Sequence, residues 1–162
     1  MSTYIIEIHP KRAEFDPLGR QVKNELIEAG EPPKSASVET SRLFRIAGNF
    51  TPQQVESVAN TLLLDPIVET ATVEDAAPAK GKKPAKARGG FVLDIWPKPG
   101  VTDPVGETVE KGLRDLGISG EVSAASAQRY FFPKASSESL IKNLAKRSLA
   151  NELIHVIDIR KG

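Results

Sequence analysis

Two aspartates, Asp16 and Asp103, come closest to a catalytic pair in this sequence. Two carboxylates brought together could serve as general acid and general base. Each aspartate, however, is followed directly by a proline, Pro17 or Pro104. Aspartate at the N-cap with proline at the first helical position is a typical helix start, because the carboxylate accepts hydrogen bonds from unpaired amides. The motif therefore predicts helix capping in both places. Capping alone also predicts that Asp→Asn costs little stability.

The remaining residues offer little catalytic chemistry. The sequence has no cysteine, which excludes thiolate nucleophiles, disulfides and cysteine metal sites. His9 and His155 have no further metal ligand at a suitable spacing, and no glycine-rich phosphate loop is present. We therefore expect this chain to contain no catalytic, cofactor-binding or metal-binding residue.

Two glycines follow the capping motifs. Gly19 and Gly106 occupy the third position of the two predicted helices, where glycine lowers helix stability. Their presence predicts a close approach by another backbone segment. That segment could belong to this chain or to a partner.

The two halves of the sequence repeat each other. The segment 4–11 aligns with 91–98, and Asp16-Pro-Leu-Gly19 aligns with Asp103-Pro-Val-Gly106, both at an offset of 87 residues. The same offset places Arg42 on Arg129 and Phe44 on Phe131, and one later deletion aligns the second helices. Agreement of apolar positions, turn residues and helix starts indicates an internal repeat. Arg42 and Arg129, each ahead of an apolar strand, are candidate partner contacts.

The repeat defines three segments: a first repeat at 1–75, a linker at 76–90 and a second repeat at 91–162. The linker contains Pro, Gly, Ala and basic residues but no large apolar side chain, so it is predicted to be flexible. Its basic residues could tether nucleic acid, but no aromatic residue is interleaved for base stacking. Solubility and extension explain the same charges, and nucleic-acid binding is not expected.

Each half reads as a short strand, an amphipathic helix, an extended segment, a second helix and a closing strand. The extended segments, 38–46 and 122–132, could each form one strand or a hairpin. The order β-α-β(β)-α-β is an α+β pattern similar to the ferredoxin-like split βαβ unit. Because a unit of this size has a small core, we expect the tandem repeats to pack as one pseudo-two-fold dimer.

The composition is typical of a soluble globular protein, with 40% hydrophobic and 27% charged residues. No apolar run approaches the roughly 20 residues of a membrane helix. The start at Met1 leads directly into a strand-like segment without the features of a signal peptide. We therefore expect a cytoplasmic protein with no membrane contact.

These motifs together resemble the PurS subunit family of phosphoribosylformylglycinamidine synthase. The resemblance rests on the aliphatic strand with Pro-Lys, the Asp-Pro-x-Gly helix start, the basic residue before the second strand, and the segment Leu62-Leu-Leu-Asp-Pro-Ile-Val-Glu69. It covers nearly the whole chain except the linker. Because the pattern occurs twice, the chain resembles a tandem, fused-dimer version of a PurS-like subunit.

The resemblance implies a non-catalytic part of an ATP-dependent, glutamine-using ligase in de novo purine (IMP) biosynthesis. Its partners would be a synthetase (PurL-like) subunit, which holds ATP and Mg²⁺, and a glutaminase (PurQ-like) subunit. The chain itself would bridge them and hold no cofactor. An alternative function from a different class is a small-molecule-sensing regulatory module, because paired ferredoxin-like domains often bind ligands between copies.

Overall fold

A computed structural model describes residues 2–75, 89–135 and 137–162. Both halves of the sequence have the same order of strands and α-helices. The first half contains β1 (Ser2–Pro10), α1 (Pro17–Glu28), β2 (Glu39–Gly48), α2 (Pro52–Val58) and β3 (Glu69–Asp75). The second half contains β4 (Phe91–Pro97), α3 (Pro104–Asp115), β5 (Ser123–Phe132), α4 (Glu138–Leu144) and β6 (His155–Lys161). The structure is thus mixed α+β, and each extended segment forms one continuous strand.

The ends of the helices follow from local signals in the sequence. Proline occupies the first turn of both α1 and α3, and Gly30 and Gly117 just beyond them have φ values of 115° and 83°. This left-handed conformation suits glycine and stops a helix. A capping box between Thr51 and Gln54 opens α2. Helices α2 and α4 each continue into a π-helical segment, Ala59–Leu63 and Ala145–Leu149.

The chain forms two compact units. Unit 1 comprises the described residues 2–11, 42–75 and 102–127. Its strands lie in the order β3-β1-β2-β5, to which β2 contributes residues 42–48 and β5 residues 123–127. Strand β1 is antiparallel to both β2 and β3. Helices α2 and α3 supply the apolar side chains that pack on these strands. The core is formed by Ile6, Ile8, Phe44, Ile46, Phe50, Val55, Val58, Ala59, Leu63, Val109, Leu113, Ile118 and Val122.

Unit 2 comprises the described residues 12–41, 89–101, 128–135 and 137–162. Its strands lie in the order β2-β5-β4-β6, to which β2 contributes residues 39–41 and β5 residues 128–132. Strand β4 is antiparallel to both β5 and β6. Helices α1 and α4 pack on them. The core is formed by Val22, Leu26, Ala36, Phe91, Leu93, Ile95, Tyr130, Phe132, Ala135, Ile141, Leu144 and Ala145.

The compact units do not follow the boundaries that the repeat predicts. Helix α1 lies in the first half of the sequence but packs its buried Val22 and Leu26 in unit 2. Helix α3 lies in the second half but packs Val109 and Leu113 in unit 1. Each core therefore takes its first helix from the other half of the sequence. The division into 1–75 and 91–162 remains a prediction about repeated sequence, whereas each compact unit contains residues from both halves.

The predicted linker, 76–90, lies outside the described residues except for Gly89 and Gly90. The amide of Gly89 donates to the carbonyl of Gly162 at 3.2 Å, and the amide of Gly162 donates to the carbonyl of Gly90 at 3.1 Å. The residues just before β4 therefore lie beside Gly162, just after β6. Within the described parts of the chain, no helix has the length and apolar character needed to cross a bilayer.

Candidate functional site

Asp16 caps helix α1 and also ties it to strand β2. Its Oδ1 accepts from the amide of Gly19 at 2.8 Å and from the hydroxyl of Thr40 at 2.5 Å, and its Oδ2 accepts from the amide of Thr40 at 2.8 Å. The carboxylate is buried. With three donors on two oxygens, this side chain acts as a structural acceptor.

Asp103 makes the equivalent bonds at the start of α3. The amide of Gly106 donates to Oδ1 at 3.0 Å. The amide of Ser126 donates to Oδ2 at 2.7 Å, and its hydroxyl donates to Oδ1 at 2.7 Å. Thr40 and Ser126 are thus hydrogen-bond partners of the aspartates that the sequence motif did not reveal. The only signal was a hydroxyl residue at similar separation from each aspartate.

The two glycines lie where the helices approach a backbone segment of this chain. A Cβ on Gly19 would lie 2.6 Å from Oδ2 of Asp16 and 2.8 Å from the carbonyl oxygen of Val38. A Cβ on Gly106 would lie 2.6 Å from Oδ2 of Asp103 and 2.7 Å from the carbonyl oxygen of Ala124. The close approach is therefore within the chain. It brings the capping carboxylate within reach of the next strand.

Replacing the capping aspartate should cost more than a simple cap would. Asp16→Asn places an amino group opposite one of the buried donors, so we expect a loss of about 1–3 kcal/mol in the free energy of unfolding. Thr51 is the matched control, because it caps α2 on the surface and Asn is a good N-cap. Urea denaturation of both variants measures the difference. Equal stability of Asp16→Asn and the unmodified chain would contradict the importance of the Thr40 bonds.

Adding a methyl group at Gly106 should destabilise the chain, although alanine normally favours a helix. Gly106→Ala forces its Cβ against a backbone carbonyl and a fixed carboxylate, so we expect a loss of about 1–3 kcal/mol. Gly112→Ala in the same helix is the control. The three atoms nearest to its Cβ would all belong to the flexible side chain of Leu62, with Cδ1 at 2.7 Å. Thermal melts should therefore rank Gly106→Ala below Gly112→Ala, and the reverse order would contradict the close approach.

Arg42 forms an ion pair within unit 1. Its Nη2 donates to both carboxylate oxygens of Glu69, at 2.9 and 2.8 Å, and to the carbonyl of Leu63 at 3.1 Å. The guanidinium also lies 5.7 Å from the ring centroid of Phe44. Arg42 thus joins strand β2 to β3 and to the end of the π-helical segment.

Arg129 forms an ion pair within unit 2, with a different partner. Its Nε lies 2.7 Å from Oδ1 of Asp94 and its Nη2 lies 2.9 Å from Oδ2. Arg160 donates to the same Oδ2 at 3.0 Å and to Asp158 at 2.9 Å. Asp94 is buried and is stabilised by two arginines. The sequence motifs did not reveal Asp94 or Arg160.

The predicted correspondence of Arg42 with Arg129 is wrong by one residue. Ile8 pairs with Arg42, whereas Ile95, its equivalent, pairs with Gln128. The deletion therefore lies before β5 rather than after it. A one-residue shift moves a side chain to the opposite face of a sheet. Arg42 lies two residues before the core residue Phe44, so both side chains are on the same face of the sheet. Arg129 lies next to the core residue Tyr130, so its side chain is on the opposite face from that residue. Contact of either arginine with a partner remains a prediction.

The two histidines and Tyr130 interact with neighbouring groups of their own unit. Nε2 of His9 lies 3.2 Å from the hydroxyl of Thr72, and Nδ1 of His155 accepts from the amide of Asn151 at 2.9 Å. Burial raises the pKa of the Tyr130 phenol, and the carboxylate of Glu25 raises it further. Among the described residues, no group of three or more His, Cys, Asp or Glu could hold a metal ion.

Both halves share an aspartate helix cap, and in both the glycine after it lies beside the next strand. Residues 91–161 match the PurS family model, described as phosphoribosylformylglycinamidine (FGAM) synthase. The match covers the second predicted repeat and supports a link with purine biosynthesis through FGAM synthase. It includes the Asp103 motif, α3, β5 and β6.

Two other comparisons add no argument about function. No curated protein matches the sequence. A solved structure whose description names a glycine cleavage system transcriptional repressor is 13% identical, with 99% of this chain and 98% of that chain covered. Its TM-score is 0.21, which is too low to indicate a shared fold.

Proposed function

We propose that this chain is a non-catalytic, tandem PurS-like subunit of FGAM synthase that bridges the synthetase and glutaminase subunits. The observation that carries the proposal is the PurS match over residues 91–161. The first half supports the proposal of two PurS-like copies, because it has the same order of strands and α-helices and the same aspartate cap as the matched half. The two halves would then stand for two PurS-like copies in a ferredoxin-like, pseudo-two-fold pair.

The chemistry of the site supports an assembly role. The polar residues of both motifs make contacts within the chain, since Asp16 and Asp103 accept from backbone amides and Arg42 pairs with Glu69. Catalysis in this proposal takes place in the partners. A synthetase (PurL-like) subunit would hold ATP and Mg²⁺, and a glutaminase (PurQ-like) subunit would release ammonia from glutamine, all in the cytoplasm.

Reconstitution tests the proposal. We expect the chain to raise the rate of glutamine-dependent formation of FGAM when it is added to purified synthetase and glutaminase subunits. The ammonia-dependent rate should change much less, because ammonia supplied from solution does not need delivery from the glutaminase. Equal glutamine-dependent rates with and without the chain would refute the proposal. Saturable binding of a metabolite to the isolated chain, measured by calorimetry, would instead favour the regulatory module.

A further inference from the structure

Two strongly exposed aliphatic side chains occupy equivalent turns, one in each unit. Ile67 is 79% exposed in the turn before β3, and Leu153 is 83% exposed in the turn before β6. The two positions are related by the offset of 86 residues that also relates Thr40 to Ser126. Exposed aliphatic residues scattered singly are common on protein surfaces. Exposure of this extent at the same place in both copies needs a further explanation.

The first turn holds its backbone firmly. The amide of Ile67 donates to Oδ1 of Asp65 at 3.0 Å, and the amide of Glu69 donates to the carbonyl of Asp65 at 2.8 Å. The amide of Asp65 in turn donates to Oε1 of Glu69 at 2.9 Å. These bonds surround Ile67 without covering its side chain.

The second turn makes the same bonds with different residues. The amide of Leu153 donates to Oδ1 of Asn151 at 3.0 Å, and the amide of His155 donates to the carbonyl of Asn151 at 2.8 Å. The amide of Asn151 donates to Nδ1 of His155 at 2.9 Å. Asn and His thus replace Asp and Glu while the turn geometry and the exposed aliphatic residue are kept.

Each turn also lies beside an exposed lysine. The amide of Lys11 donates to the carbonyl of Val68, and the amide of Lys98 donates to the carbonyl of Ile154, each at 2.8 Å. Both lysines are exposed, and the ammonium of Lys11 donates to the carbonyl of Pro66 at 2.6 Å. Glu69 is paired with Arg42, and Glu152 is paired with Lys146 at 3.6 Å, whereas the carboxylate of Asp65 accepts from an amide and keeps its charge. The surface repeated in both units therefore combines an aliphatic side chain with a neighbouring lysine.

We propose that these two turns are docking points, each of which inserts its aliphatic side chain into an apolar, acidic-rimmed pocket of a partner protein. The proposal rests on the bridging function above and assigns it to named residues. A rigid turn suits this role, because little conformational freedom is lost on binding. One turn in each unit provides two docking points in one chain, as bridging requires.

The two docking points differ in apolar area, which fits two different partners. Next to Leu153, Ile154 is 40% exposed and Val156 is 45% exposed. The position in the first copy that corresponds to Val156 is the polar Thr70. The turn of unit 2 thus offers the larger apolar surface and makes the tighter contact.

Binding of the full-length chain to the purified synthetase and glutaminase subunits tests the proposal. Ile67→Asn and Leu153→Asn are compared with Leu116→Asn, a control residue that is 51% exposed at the end of α3. We expect each turn variant to weaken binding of one subunit by about tenfold or more, as for an interface anchor, with the larger loss for Leu153→Asn. Thermal melts should be unchanged, because both side chains are already exposed.

The outcomes separate this proposal from the proposed function. If the unmodified chain binds neither subunit, the bridging function and the docking points both fail. If it binds and the turn variants bind equally well, or if Leu116→Asn weakens binding as much as they do, the docking points are refuted and bridging stands. Selective loss in the turn variants supports both.

Discussion

Residues 1–75 and 91–162, produced as separate polypeptides, are expected not to fold as stable monomers. The first fragment lacks helix α3, so unit 1 loses the buried side chains of Val109 and Leu113. The second fragment lacks helix α1, so unit 2 loses those of Val22 and Leu26. A small core that loses a whole helix face loses most of its stabilising burial.

Association should restore the fold of the fragments. Because α1 and α3 have equivalent apolar faces, either fragment could fill the missing place by pairing with the other or with a second copy of itself. Association is measured by circular dichroism melts of each fragment, and of the mixture, over a range of concentrations. The fragments should have a concentration-dependent Tm, and the intact chain, as the control, should have a constant one. A fragment that melts cooperatively as a monomer, with a constant Tm, would contradict the exchange of helices.

Leu26→Ala and Leu113→Ala should each destabilise the unit that belongs mainly to the other half of the sequence. Both side chains are fully buried, so each truncation is expected to cost about 2–5 kcal/mol. Leu26→Ala should reduce the hydrogen-exchange protection of β4 and α4 more than that of β1 and α2. Leu113→Ala should do the opposite.

The two leucine variants are controls for each other, because they remove the same group from equivalent helices. Each half packing its own first helix would give the reverse pattern, in which Leu26→Ala weakens β1 and α2. That result would rule out the assignment of α1 to unit 2. An equal loss of hydrogen-exchange protection in both units of both variants would show that the units unfold together. The two units would then have no separate stabilities.

A difference between the two second helices becomes understandable from this packing. Leu62 in the first half corresponds to Ser148 in the second. In unit 1, Leu62 packs against helix α3 at Gly112, where a Cβ would lie only 2.7 Å from the leucine Cδ1. The position in α1 that corresponds to Gly112 is Glu25. The leucine and the glycine thus occur together in unit 1, although they lie in different halves of the sequence.

The elements and their ends could be predicted from the sequence because they depend on local interactions. Asp16 and Asp103 cap helices by accepting from an amide three residues away, and Gly30 and Gly117 end them through their own backbone conformation. Such interactions involve residues close together in the sequence, so they can be recognised as short motifs. The internal repeat contains each motif twice.

The partners of these elements were decided only by the tertiary structure. Thr40 and Ser126 complete the aspartate sites from more than twenty residues away, and Asp94 meets Arg129 and Arg160 only through strand pairing. Strand register was also uncertain, because a one-residue deletion placed before or after β5 leaves nearly the same pattern of apolar residues.

The exchange of the first helices is the clearest case. The sequence by itself determined that two amphipathic helices must each cover β-strands. It did not determine in which unit each helix packs, since the stripe of Val22 and Leu26 and that of Val109 and Leu113 are chemically the same. With equivalent apolar surface to bury in either place, the hydrophobic effect does not distinguish the two pairings. The distinction lies in contacts outside these stripes, such as that of Leu62 with Gly112, which are visible only in the folded chain.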